Sequence, residues 1–70
     1  MTKWEYLVVL ASNTGGSENR LAPQIENGRL IKNWQKGPDI YEYMNELGAQ
    51  GWELVATETT LRYVFKRQKE

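Results

Sequence analysis

The stretch Leu47-Gly48-Ala49-Gln50-Gly51-Trp52-Glu53-Leu54-Val55 constrains the fold of this chain more than any other. Before it, Ile40, Met44 and Leu47 recur at helical spacing, with Tyr41 and Tyr43 on the flanks, which is the stripe of an amphipathic helix. After it, Trp52 to Thr57 is short, apolar and β-branched, as a strand is. If Gly51 takes the left-handed position just past the helix end, Leu47 is C3 and Trp52 is C″, the pair that touches in a Schellman stop. Gly48 would then lie in the last turn, where a missing Cβ lets the helix approach a sheet closely. Ending the helix at Gly48 is the competing register. At the other end, Asp39 as N-cap places Glu42 at N3, close to a capping box. Gly37 as N-cap with Pro38 at N1 is the alternative start. The helix is expected over 38–50.

Trp4-Glu5-Tyr6-Leu7-Val8-Val9-Leu10 reads as a strand. Trp4, Tyr6, Val8 and Leu10 share one face, and Glu5, Leu7 and Val9 share the other. Both faces carry apolar residues, so the strand wants cover on both sides. Residues 11–22 include Ser12-Asn13-Thr14-Gly15-Gly16-Ser17-Glu18-Asn19, a flexible loop by composition. Asn27-Gly28 is a two-residue hairpin signal, because a type I′ turn needs positive φ at both central residues. That register sets Glu26 opposite Arg29 and Ile25 opposite Leu30. Pro23 cannot donate to a ladder, so residues 24–32 are expected as a short hairpin arm. Residues 52–67 form a terminal hairpin with a tight connection at Thr57-Glu58-Thr59-Thr60. Leu61, Tyr63 and Phe65 share a face of its second strand.

Composition removes several kinds of chemistry. The chain has 70 residues, one domain's worth, with no cysteine and no histidine. Disulfides and thiolate metal sites are therefore absent, and so is the usual acid–base residue near neutral pH. Nine basic and nine acidic residues cancel, so no global field steers the chain toward nucleic acid or anionic membrane. No apolar run approaches the roughly 18 residues of a membrane span. A cytoplasmic location is expected. The basic run Lys66-Arg67-Gln68-Lys69 reads as a solvated, fraying end.

The motifs carry a resemblance. Met1-Thr2-Lys3-Trp4-Glu5-Tyr6 with Val8-Val9, Met44-Asn45-Glu46-Leu47-Gly48-Ala49-Gln50-Gly51-Trp52-Glu53-Leu54-Val55, and Tyr63-Val64-Phe65-Lys66-Arg67 are similar to one family. It comprises short bacterial and phage proteins grouped as domain-of-unknown-function family 4177. Its hallmarks are an opening Lys-Trp-Glu-Tyr strand, a central Leu-Asn-x-Leu-Gly-x-x-Gly-Trp-Glu-Leu-Val and a closing Phe-Lys-Arg. Met44 stands where that pattern has Leu. The resemblance implies the order strand, helix, hairpin and brings no catalytic residue with it. The segment from Gly15 to Gln35 is where such proteins vary most.

The candidate constellations are few. Glu5 and Glu53 each follow a tryptophan on a strand and would form an acid–base pair if they were neighbours. The plainer expectation sets each against a cation, with Arg62 and Lys66 as the obvious partners. Serines and threonines have no histidine to activate them. Gly15-Gly16 lacks the spacing and the lysine of a phosphate loop. Arg20, Arg29, Lys32, Trp34 and Tyr41 lie in one third of the chain and combine guanidinium forks with aromatic faces, which suits a phosphate and a base. They are the candidate ligand-binding residues. The alternative for Trp34 is closure of the core, and Trp4 and Trp52 are expected in the core.

The expected fold is α+β: a small antiparallel sheet of about three main strands plus a short hairpin arm, packed by one α-helix. Leu7, Val9, Val55 and Val64 are expected on the sheet face that one helix cannot cover, which favours a homo-oligomer. The expected function is a non-catalytic binding or interaction module, without cofactor, metal or catalytic residue. The alternative is capture of a small anionic, nucleotide-like ligand at a subunit interface; a small enzyme ranks last. A protein partner fits the first reading, and nucleic acid and membrane fit none.

Overall fold

The structure is a computed structural model that describes residues 2–17, 19–58 and 61–69. Among the described residues, five antiparallel strands, one turn of 3-10 helix and one α-helix make an α+β unit of 49 × 23 × 18 Å. The strands are β1 (Lys3–Asn13), β2 (Leu21–Glu26), β3 (Arg29–Leu30), β4 (Glu53–Glu58) and β5 (Arg62–Lys69). Their order in the sheet is β3-β2-β1-β5-β4. Helix α1 (Ile40–Ala49) joins one edge strand to the other, so the chain crosses one sheet face to reach β4.

The helix boundaries follow their capping chemistry. Asp39 is the N-cap, and its side chain accepts the Glu42 amide at 2.9 Å. At the far end the Trp52 amide donates to the Leu47 carbonyl and the Gly51 amide to the Gly48 carbonyl, both at 3.0 Å. Gly51 has φ +91°, so both bonds and the left-handed residue of a Schellman stop are present. The competing end at Gly48 is therefore not used. A Cβ built on Gly48 would meet nothing within 4 Å, so the expected close approach at that position does not occur.

Asn27 and Gly28 have φ 48° and 83°, the two positive values of a type I′ turn. Glu26 faces Arg29 and Ile25 faces Leu30, in the expected register. The pair is not an arm, however. β2 runs antiparallel to β1 from Val9↔Glu26 to Asn13↔Leu21, and Asn27 exchanges two further bonds of 2.8 Å with the Val8 backbone. Pro23 fits because β3 pairs only with Ile25 and Glu26, which leaves the outer side of β2 open at the proline. The connection expected at 11–22 shortens to residues 14–20, since Ala11, Ser12 and Asn13 extend β1 and Leu21 and Ala22 open β2. Ladder pairing overrides the weak strand preference of Ser12 and Asn13.

β5 continues through the basic run to Lys69, paired along its length with β1 from Leu10↔Arg62 to Lys3↔Lys69. The expected fraying end is thus part of the sheet: Lys66 pairs on both sides, and residues 67–69 pair with β1. Leu61 does not share the Tyr63 and Phe65 face. It sits in the turn with φ 59° and bonds back to the Glu58 carbonyl at 3.2 Å. The part of the expected tight connection at residues 59 and 60 lies outside the described residues.

The core lies between helix and sheet: Leu7, Val9, Phe65 and Leu47 are buried, with Tyr43, Met44, Trp52 and Tyr63 packed against them. The register makes the other face explicit. Val8↔Val64, Tyr6↔Lys66 and Leu10↔Arg62 point away from the helix. Two expectations reverse here. Leu7 and Val9 are covered by the helix, and Val64 parts from them. Trp4, expected in the core, is 44% exposed, because its face has no helix over it.

Candidate functional site

The sheet face opposite the helix carries an apolar stripe. Trp4, Tyr6, Val8 and Leu10 run along it on the central strand β1. Val64 stands across from Val8 on one side, and Ile25 across from Leu10 on the other. Leu30, which is 67% exposed, extends the stripe toward β3. Tyr6 is 57% exposed. The flank of the stripe is charged and internally matched. The Lys66 ammonium sits 4.4 Å from the centre of the Trp4 ring, Glu53 pairs with Lys66 in the ladder, and Glu58 lies 3.5 Å from Arg62.

The carboxylates Glu5 and Glu53 do not meet. Glu5 faces Arg67 across the β1–β5 ladder, on the helix side, and accepts from its Nε. Glu53 faces Lys66 on the opposite side. Arg67 also stacks 4.3 Å from the Trp52 ring centre and donates to the Gln50 carbonyl at 3.2 Å. One guanidinium therefore ties the first strand, the helix end and the helix stop together. The composition of Lys66-Arg67-Gln68-Lys69 suggests a loose end, which hides Arg67 and leaves Arg62 and Lys66 as the partners the sequence points to.

Of the five candidate ligand-binding residues, the fold gathers few. Arg20 borders an open cavity of about 320 Å³ with Thr14, Gly15, Gly16, Ser17 and Gln35. Its Nη2 is already engaged, donating to the Gln35 and Gly37 carbonyls at 2.9 and 3.2 Å. Lys32 and Trp34 line a different cleft of about 250 Å³, whose walls include Pro23, Ile31, Pro38 and Tyr43. Trp34 is half-buried there, which is neither the closed core nor the shared pocket with Arg20. Arg29 is exposed on β3 opposite Glu26. Tyr41 is 73% exposed and borders neither cavity.

Inside the cleft the Tyr43 hydroxyl donates to Glu26 Oε2. Burial raises the Tyr43 pKa above its ordinary value, and the hydrogen bond to Glu26 and the negative charges of Glu26 and Glu46 push it further the same way. Tyr43 is therefore a neutral donor, fixed in place by Glu26. Among the described residues no group of three or more carboxylates gathers as a metal site would require, and no helix is long and apolar enough to cross a membrane.

Comparison with known protein families, with curated proteins and with solved structures finds no match. The resemblance stated above is carried by its motif residues alone.

Proposed function

We propose that this chain is a non-catalytic interaction module that works as a homo-oligomer. The observation behind this reading is the stripe of exposed Trp4 and Tyr6 with half-buried Val8 and Leu10 on β1, on the sheet face away from the helix. Contiguous exposed apolar surface of this kind marks an interaction site in a soluble domain. A 70-residue chain with one helix and no disulfide also has a small core of its own, and association adds buried area. The carboxylates that would serve acid–base chemistry lie on opposite faces, each opposite a cation.

The anionic-ligand reading has less behind it, since Arg20 spends donors on two carbonyls and Trp34 opens into a separate cleft. The test is the solution mass of the full chain at micromolar concentration by light scattering or native mass spectrometry. An assembly of two or more copies is expected, and a species that stays at 8.2 kDa across the concentration range overturns the reading.

A further inference from the structure

We propose that two copies of this chain join edge to edge through the open side of β1, in an antiparallel register with the two-fold axis at Trp4. This rests on the self-association reading above and adds where the contact is made and in what register.

The edge exists because β1 outruns one of its neighbours. β5 pairs with β1 from Lys3 to Leu10, whereas β2 pairs with it only from Val9 to Asn13. Asn27 closes the far end of the open stretch. Its amide donates to the Val8 carbonyl and its Oδ1 accepts from the Val8 amide, both at 2.8 Å. Backbone groups alternate sides along an antiparallel strand. Val8 turns its amide and carbonyl to this side, so Tyr6 and Trp4 turn theirs the same way, and among the described residues no strand pairs with them there. Donors and acceptors in such a row are the template that an added strand reads.

The sequence of the edge selects a second copy and one register. A two-fold axis through the sheet keeps every side chain on its own face, so Lys3 and Glu5 meet only each other or themselves. Lys3 on the axis sets like charges opposite, and so does Glu5 on the axis. Tyr6 on the axis puts the partner's Trp4 where Asn27 already bonds Val8. With Trp4 on the axis, Lys3 stands opposite the partner's Glu5. The two Trp4 residues then exchange a reciprocal pair of backbone bonds, and Tyr6 pairs with the partner's Thr2, so every open group of the edge is used. Lys3 needs this carboxylate. It is exposed, stands opposite Lys69 in its own ladder, and makes no ion pair among the described residues. The Trp4 ring, 44% exposed, gains the partner's Trp4 as an aromatic cross-strand neighbour.

The other edges are poorer templates. β3 has two residues, and the pairing of β4 is irregular between Leu54 and Ala56. The β1–β5 register runs without a shift from Lys3 to Leu10, so the open side of β1 is regular.

The chain has no cysteine, so introduced cysteines report the register. Position 3 and the partner's position 5 form a non-hydrogen-bonded pair with Cα atoms about 4.5 Å apart, within disulfide reach. Lys3→Cys mixed with Glu5→Cys at micromolar concentration is expected to give the crosslinked heterodimer under mild oxidation, and each variant alone to give little. Both positions lie on the helix side of the sheet, so stacking through the opposite face does not bring them together. Solution mass is measured in parallel, with circular dichroism to establish folding. Wild type is expected at twice 8.2 kDa. Lys3→Glu relieves Lys69 within each copy but sets carboxylates opposite each other twice across the axis, and is expected to weaken the dimer about 10-fold or more. Leu30→Lys on the apolar face and Val55→Lys on β4 are expected to leave it unchanged. Should Glu5→Cys fail to fold because Arg67 loses its partner, Lys3→Glu against Leu30→Lys and Val55→Lys decides. A chain that assembles, gives no mixed crosslink and ignores Lys3→Glu overturns the edge pairing and leaves self-association standing. A wild type that never exceeds one copy overturns both.

Discussion

The Arg67 guanidinium lies 4.3 Å from the centre of the Trp52 ring while its Nε holds Glu5, so one side chain braces the residue that ends the helix against the first strand. Arg67→Met keeps the stem and removes the fork. It is expected to cost about 1–2 kcal/mol, the sum of a part-exposed ion pair and a cation–ring contact. A double-mutant cycle in urea with Trp52→Leu is expected to give a coupling of about 0.5–1 kcal/mol. Additive losses would show that the stack contributes nothing to stability.

The two glycines near the helix end are expected to respond with opposite signs. Gly51→Ala puts a Cβ on a residue at φ +91° and is expected to destabilise by about 1 kcal/mol. Gly48→Ala meets open space within the helix and is expected to stabilise by about 0.5–1 kcal/mol through helix propensity. Thermal melts of both variants check the pair, and equal losses would contradict the helix register described here.

Asp39→Ala removes the acceptor for the Glu42 amide and is expected to cost about 1 kcal/mol. Asp39→Asn, which keeps an acceptor oxygen, is expected to recover most of it. If Asn melts with Ala, the cap acts through its charge on the helix dipole and not through the hydrogen bond.

Tyr43 gives the fold an alkaline limit. Its folded pKa lies above the ordinary value of 10, through burial first and then Glu26, so the neutral phenol is the form the folded state favours. Its contribution is complete below pH 10 and is lost progressively as pH rises from there toward the folded pKa. Tyr43→Phe is expected to lower stability at neutral pH by about 1 kcal/mol, because Glu26 loses its donor. The gap between wild type and variant is then expected to narrow above pH 10. Urea titrations at pH 7, 9 and 11 read this out, and a gap that widens with pH would reverse the assignment.

Some features were legible in the sequence because local backbone chemistry dictates them. Asn27, Gly28 and Gly51 sit at positive φ, and few residue types meet that need. Asp39 with Glu42 states a helix start in a similar way. What could not be read was which of two apolar faces of β1 the helix covers. Alternation sorts Leu7 from Val8 but says nothing about where a helix thirty residues later will lie. The same ambiguity put Trp4 in the core. Ser12-Asn13 and Lys66 to Lys69 read as loop and tail because strand preference is weak there, and only pairing with distant residues makes them strands. Arg20 and Trp34 are close in sequence, yet β2 and the 3-10 turn place them at different cavities.

The inner position of β5 has a kinetic consequence. Glu5 and Arg67 are 62 residues apart, yet their strands are neighbours at the middle of the sheet. Leu7 and Val9 gain Phe65 as a core neighbour only when that long closure is made. The entropic cost of such a closure comes before its reward. Backbone amides of β1 and β5 are therefore expected to exchange with solvent through one common opening event, at the rate of whole-domain unfolding, while those of β3 and the 3-10 turn exchange by smaller local openings.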